Sequence, residues 1–410
     1  MRKYIKQLGL VLAFCLLSFQ GWAQFEDIQL SPQAKISLIT CSSGPELYAI
    51  FGHSAVRVND PVNGFDIVFN YGTFDFNEPN FYLKFARGKL NYKLSIAYFR
   101  DFVYSYTMDN RSVYEQEMNF TEEQKQQYWG FLTNNYLPAN RFYLYDFFFD
   151  NCATRIRDGV EATFPNQIRF NISHFDEDMS FRNLIDLYLP PQPWGDLGID
   201  FSLGARIDRE ATPYEYMFLP DYLAKGFANA TITENGQTQP LVGEMQVLFE
   251  REPIPMSRGI FTPTLVFWLF FAVVLALTVV DWMKRRRSRV FDMVFFFIIG
   301  LMGIIMLLLW FATDHQATAY NFNLLWAIPT HIVVAFFLGH NKLQDWVSKY
   351  MLATAIVAGV LLLFWPWWPQ MLHTAFIPVT LALGLRAAYT VWFSNKIKKE
   401  TFTPKVEKAI

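Results

Sequence analysis

Cysteine is scarce in this 410-residue chain: there are three, at positions 15, 41 and 152. That is too few for a disulfide scaffold, and the C-x-x-C spacing of zinc and redox sites is absent. A surplus of charge is missing as well, since 35 Lys plus Arg against 37 Asp plus Glu leave a net −2. No basic field exists to collect phosphates, so no nucleic-acid partner is expected. The histidines are dispersed, with no two arranged for a metal, and neither a metal nor a cofactor is expected. Charged residues make up only 18% of the chain, whereas 52% is hydrophobic and there are 42 Phe, 20 Tyr and 12 Trp. Such a chain is too apolar for a disordered or simple soluble protein, and its length leaves room for two domains. Any chemistry must come from single residues.

The N-terminus carries Arg2, Lys3 and Lys6, then an apolar run over 8–19 and the sequence Gly21-Trp22-Ala23-Gln24. This is the order of a secretory signal, so residues 1–23 are read as a signal peptide, with an uncleaved anchor as the alternative, and the chain from Gln24 onward as exported. No cysteine stands at the cleavage site, so no lipid is expected there. Cys15 leaves with the signal.

Beyond residue 259 the uncharged runs are 259–280, 293–313, 316–341 and 350–385. A helix needs roughly 20 apolar residues to cross a bilayer. The fourth run is long enough to cross twice around Trp365-Pro366-Trp367-Trp368-Pro369, which breaks a helix and favours the interface. About five spans are therefore expected, placing an all-α polytopic membrane domain at 263–395. Lys284, Arg285, Arg286, Arg287 and Arg289, then Lys342 and Lys349, then Lys396, Lys398 and Lys399 all fall on one side, which makes that side cytoplasmic. Residues 24–250 then form an exported domain, 251–262 a Pro-containing linker and 396–410 a cytoplasmic tail.

In the exported part, short strands are expected at 36–40, 54–58 and 66–71, the last two joined by the turn-forming Asn59-Asp60-Pro61-Val62-Asn63-Gly64. Thr121-Glu122-Glu123-Gln124 fits a capping box that opens a helix to about residue 134. The aromatic run 142–149 reads as a strand or buried segment, and Asp150 is placed to cap a helix over 151–164. Further helices are expected near 181–189 and 212–227, and a last strand at 244–249. The stretch 81–106 interleaves rings with Lys84, Arg87, Lys89, Lys93 and Arg100; it reads as core plus a solvated face, with a lipid surface as the alternative.

The chemical signal is one Cys and one His. Cys152 falls in the first turn of its helix, where unpaired N–H groups and the helix dipole favour thiolate. His53 heads a strand in Phe51-Gly52-His53-Ser54, and Asn70 on the next strand is placed to orient it. A nucleophile on a helix N-terminus beside a strand-borne base is the geometry of papain-like cysteine enzymes. The bland alternatives are a Cys41–Cys152 disulfide and a structural histidine. In the membrane half, Asp314 and His315 sit in a polar loop expected on the exported side, either receiving a lipid headgroup, lining the cleft or simply solvated. Arg386, inside the last apolar run, is read as packing or headgroup contact.

The stretch 40–58 around Phe51-Gly52-His53-Ser54, together with Phe69-Asn70-Tyr71-Gly72 and the stretch 146–155 around Asp150-Asn151-Cys152-Ala153, resembles the Lnb family of bacterial lipoprotein N-acyltransferases, and the likeness extends over nearly the whole chain. The resemblance implies an α+β papain-like exported fold of the circularly permuted type, with the base preceding the nucleophile. It implies Cys152 as nucleophile and His53 as base, with Asn70 added from strand geometry. Asn151, Glu46, Tyr48, Asp314 and His315 are the candidate substrate-binding residues. The implied reaction moves an acyl chain from a membrane phospholipid, through a thioester on Cys152, to the N-terminal amine of a diacylated apolipoprotein. The implied location is the bacterial inner membrane with the catalytic domain on the periplasmic side. The alternative is a membrane-anchored cysteine peptidase or amidase acting on peptidoglycan.

Overall fold

The computed structural model describes residues 28–171, 178–253 and 259–402. The signal peptide read at 1–23, His174, the middle of the 251–262 linker and the end of the 396–410 tail lie outside them. The chain divides into two compact units, one holding residues up to 81, 90–177 and 212–253, the other holding 82–89, 178–211 and 254 onward. The stretch expected as one exported domain thus gives two of its segments to the helical unit.

The first unit is an α/β domain. Its strands, with those of a small side sheet, are β1 (Lys35–Cys41), β2 (His53–Asp60), β3 (Phe65–Thr73), β4 (Asn91–Tyr98), β5 (Val113–Glu117), β6 (Phe142–Leu144), β7 (Ile168–Phe170), β8 (Ala230–Glu234), β9 (Gln237–Pro240) and β10 (Gln246–Phe249). Seven form one antiparallel sheet in the order β10-β5-β1-β2-β3-β4-β6, and β7-β8-β9 form the other. The central strands are covered on both faces. Ile36, Leu38, Val56, Val58, Ile67 and Phe69 pack with Trp129, Leu132, Ile156 and Val160 of the Glu122–Tyr136 and Cys152–Thr163 helices. The alternate residues Ile39, Cys41, Ala55 and Val68 pack with Phe102 of the Phe99–Met108 helix. Each fully buried side chain of this size contributes roughly 1.5–3 kcal/mol, so period-2 alternation fixes the register that sets His53 and Asn70 in place.

The Thr121–Gln124 capping box forms as the sequence predicts. The cap of the next helix is Asn151 rather than Asp150: Asn151 Oδ1 accepts from the N–H groups of Ala153 and Thr154, while Asp150 makes a bidentate pair with Arg155. Of the run 142–149 only Phe142–Leu144 is extended, because Asp146 Oδ1 accepts from the Phe148 and Phe149 N–H groups and closes a turn. The helix expected over 212–227 is two, Pro213–Tyr216 and Pro220–Ala228, since Pro220 has no N–H to continue the first and suits the start of the second. Within 81–106, residues 91–98 are a strand and a helix begins at Phe99.

The second unit is helical. Among the described residues four helices are long and apolar enough to cross a membrane: Pro263–Met283, Arg289–Phe311, Asp345–Leu363 and Phe376–Ile397. The run 316–341, expected as a further span, contains two short 3-10 turns and the helix His331–Leu338. Eight helical residues cover only about 12 Å, yet the run passes along the whole Arg289–Phe311 helix, from Thr318, whose hydroxyl donates to Leu309 O, to Leu338 and His340, whose carbonyls accept from Arg287. It covers the length of a span as a broken helix rather than a continuous one. Asparagines interrupt it: Asn321 Nδ2 donates to Phe201 O, Asn323 Nδ2 to Asp200 O, and Trp326 Nε1 to Asn323 Oδ1. Pro329 then interrupts before the helix starts. Arg386 is not a headgroup contact. It is fully buried, with Nε 2.8 Å from Asp292 Oδ1, Nη1 3.0 Å from Thr278 Oγ1 and Nη2 3.1 Å from Asp281 Oδ2.

Candidate active site

Three elements of the first unit carry the site. The chain enters β2 through Gly52, at φ +79°, where a Cβ would come 2.9 Å from the Cys41 carbonyl oxygen; only glycine fits, and His53 follows it directly. Asn70 stands on the neighbouring β3. Cys152 is the first residue of the Cys152–Thr163 helix, whose N-terminus the Asn151 cap holds in place.

His53 Nε2 lies 2.7 Å from Asn70 Oδ1. Because that oxygen can only accept, Nε2 carries the proton, and Nδ1 is left for the hydrogen bond between the imidazole and Cys152. Cys152 is almost wholly buried, at 6% exposure. Burial pushes its pKa up, but the charge and hydrogen bond of His53, with N–H donors from Ser54 and Ala153, bring it below the ordinary thiol value. For His53, burial pushes down, whereas the Cys152 charge and the hydrogen bonds of Cys152 and Asn70 raise it above the ordinary imidazole value against an opposing effect of Arg111. Each partner favours the other's charged form, which is the condition for a thiolate–imidazolium pair.

The surroundings reinforce this geometry. Tyr106 stacks on His53 with ring centroids 6.3 Å apart and planes 12° from parallel, and the Arg111 guanidinium lies 4.6 Å from the Tyr106 ring centroid. Arg111 Nε donates to Ser42 O at 2.8 Å, while Nη2 is buried without a hydrogen-bond partner. Gly72 brings β3 close to the nucleophile: a Cβ there would stand 3.9 Å from Cys152 Cβ and 4.0 Å from the Tyr143 hydroxyl. Cys41 and Cys152 are both free thiols, so the disulfide alternative is not realised.

Of the residues singled out from sequence, Cys152, His53 and Asn70 come together. Asn151 lies beside them, but its side chain is committed to the cap through Oδ1 and, through Nδ2, to Phe147 O and Phe218 O. Its amide thus holds the helix N-terminus in place. Glu46 and Tyr48 lie on the exposed β1–β2 connection, Tyr48 at 84% exposure. Asp314 and His315 belong to the second unit, where they bond to residues 85–89. Tyr106, Arg111, Tyr143 and Tyr145 were not singled out. They carry no motif: Tyr106 arrives on the Phe99–Met108 helix, Arg111 just ahead of β5, and Tyr143 and Tyr145 beside Gly72, so only the tertiary fold reveals them.

Among the described residues one cluster has metal-ligand chemistry. Ligand atoms of Asp196, Asp200 and His373 lie within 4.8 Å of one another. However, His373 Nδ1 accepts the Ala375 N–H at 3.0 Å, which leaves Nε2 protonated and facing Asp196 Oδ2 at 3.3 Å. Asp200 is paired with Arg182, which also holds Asp208 at 2.8 Å. In this arrangement Asp200 and Asp208 are taken up by Arg182 and the imidazole by hydrogen bonds on both ring nitrogens.

Residues 23–185 match the Lnb N-terminal periplasmic domain, and residues 255–398 match the Lnb transmembrane domain. No curated protein and no solved structure matches the chain. With both domains present in order, the chain belongs to the Lnb family: it is a membrane protein with a periplasmic domain followed by a membrane-embedded helical domain.

Proposed function

We propose that this Lnb-family chain is a lipoprotein N-acyltransferase of the bacterial inner membrane that works through an acyl-thioester on Cys152. The observation that carries the reading is the His53–Cys152 pair, a depressed thiol hydrogen-bonded to a raised imidazole at a helix N-terminus, in a chain whose other half is built for lipid. The order of the pair, base before nucleophile, and the helix-against-sheet setting suit a permuted papain-like fold.

In the first half-reaction the Cys152 thiolate attacks an ester carbonyl of a phospholipid. A C–S bond forms, the ester C–O bond breaks, and the imidazolium of His53 gives its proton to the departing lysophospholipid oxygen. In the second, the α-amine of a diacylglyceryl-cysteine attacks the thioester. A C–N bond forms, the C–S bond breaks, the amine proton passes to His53, and the thiolate–imidazolium pair is restored. Asn70 holds Nε2 so that Nδ1 faces the sulfur throughout. The Asn151 cap engages the N–H groups of Ala153 and Thr154, leaving that of Cys152 as the candidate oxyanion donor. Both substrates are confined to the bilayer, which gives the membrane half its purpose.

The test is to incubate the purified full-length protein with phospholipid and a diacylated lipopeptide. The expected result is a gain of one acyl chain on the peptide amine, abolished in Cys152→Ala and His53→Ala. No gain, or a gain unaffected by these substitutions, overturns the reading; cleavage of muropeptides with the lipopeptide unchanged would put the amidase alternative in its place.

A further inference from the structure

Residues 82–89 follow β3 in sequence but group with the helical unit. They contain Tyr82, Leu83 and Phe85, which are 81%, 58% and 54% exposed, and the exposed cation Arg87. Three large apolar side chains presented together are costly in water. The segment is nevertheless firmly held. The Asp314 N–H donates to Arg87 O at 2.9 Å, His315 Nε2 donates to Phe85 O at 3.0 Å, and Lys89 Nζ stands 3.8 Å from the Asp314 carboxylate.

Asp314 comes just after Phe311, the last residue of the Arg289–Phe311 span. A segment bound at that point lies at the depth where the hydrocarbon core gives way to headgroups. Exposed aromatic residues mark the same level at two other span ends: Phe261, at 73% exposure, ahead of the Pro263–Met283 helix, and Trp367, at 74%, beyond the Asp345–Leu363 helix. Apolar side chains with a flanking cation are the composition of a segment lying in that layer.

We propose that residues 82–89 form an interfacial strap that lies in the outer headgroup layer of the bilayer, with Leu83 and Phe85 among the upper acyl chains and Arg87 against lipid phosphates. The occupant of this surface is the phospholipid bilayer itself, because the strap is continuous with the lipid-facing end of a span. The inference stands apart from the acyl-transfer reading, since it uses neither Cys152 nor His53. Asp314 and His315 thereby acquire a role as the clamp that sets the strap's depth.

The full-length protein carrying a photoreactive phenylalanine analogue at position 83 or 85 is placed in phosphatidylethanolamine/phosphatidylglycerol nanodiscs, irradiated and weighed intact. A third variant carries the probe at Val62, an exposed apolar residue in the β2–β3 turn. The expected result is an adduct of one phospholipid mass at 83 and 85 in several-fold higher yield than at 62. Lipid adducts at 83 and 85 no more abundant than at 62, or adducts there to protein alone, overturn the proposal. His315→Ala removes the Nε2 donor to Phe85 O and should lower the yield at 83 by loosening the clamp, and an unchanged yield would remove that role from His315.

Discussion

Cys41 and His53 are direct partners across β1 and β2, yet it is Cys152, from a helix 99 residues further along the chain than His53, that shares the imidazole. The two thiols lie near the same histidine and are driven in opposite directions. Burial pushes Cys41 up, out of the range in which a thiol ionises near neutrality, while His53 and two backbone N–H groups bring Cys152 down.

Alkylation should separate them. At neutral pH iodoacetamide is expected to modify Cys152 rapidly and to spare Cys41 until the protein is unfolded, as read by peptide mass spectrometry. Cys41→Ala should leave both the Cys152 rate and acyl transfer unchanged. Equal labelling of the two thiols in the folded protein would mean that the ion pair does not form.

The pH dependence has its origin in the same two shifts. With Cys152 below its ordinary value and His53 above its own, the charged pair is populated between them. It is lost as pH falls through the Cys152 value, where sulfur is protonated, and as pH rises through the His53 value, where the proton needed by the leaving group is gone. Acyl-enzyme formation should therefore be bell-shaped. In His53→Gln the thiol returns toward the ordinary value of about 8.5, so alkylation at pH 6.5 should fall toward that of an ordinary thiol, only about one per cent ionised there. A His53→Gln alkylation profile matching the parent would sink the assignment of His53.

Asn70→Ala removes the acceptor for Nε2 and frees the ring to turn. A hydrogen bond to a charged group is worth about 1.5–3 kcal/mol, so kcat for transfer should drop roughly ten- to hundredfold. Thermal stability should change little, since Asn70 is only partly buried. A parallel loss of both would point to a purely structural role.

In the membrane unit, Arg386→Ala leaves Asp281 and Asp292 buried without their principal partner. Removing one member of a buried ion pair typically costs about 3–5 kcal/mol. The variant should unfold at markedly lower denaturant in micelles, and adding Asp281→Asn and Asp292→Asn should recover part of the loss. An unaltered midpoint for the single variant would show that this cluster does not hold the helices together.

Much of the site was legible because its parts are local. The helix N-terminus at Cys152, the glycine before His53 and the alternation of β2 and β3 all act over a few residues, so pattern reading reaches them. The Asn151 cap was missed by one position because Asp and Asn cap equally well, and the Arg155 side chain that claims Asp150 decides between them. Tyr106 and Arg111 were illegible for another reason: they meet His53 only through the pairing of β5 with β1 and the packing of the Phe99–Met108 helix, contacts that no local signal encodes. The third apolar run was legible in extent but not in form. Hydropathy counts Asn321, Asn323 and Pro329 as minor interruptions, whereas side-chain amides bonding to backbone carbonyls break the helix while the run still passes along the whole Arg289–Phe311 helix.

The burial of Arg386 also bears on biogenesis. Its helix is the least apolar of the four, and the acids that neutralise it reside on the first two spans. A nascent chain delivering this segment to the translocation machinery would find Asp281 and Asp292 already inserted and waiting, so entry of the final span into lipid is coupled to prior folding of the first hairpin. Truncations or fusions that remove that hairpin should strand the C-terminal segment outside the membrane.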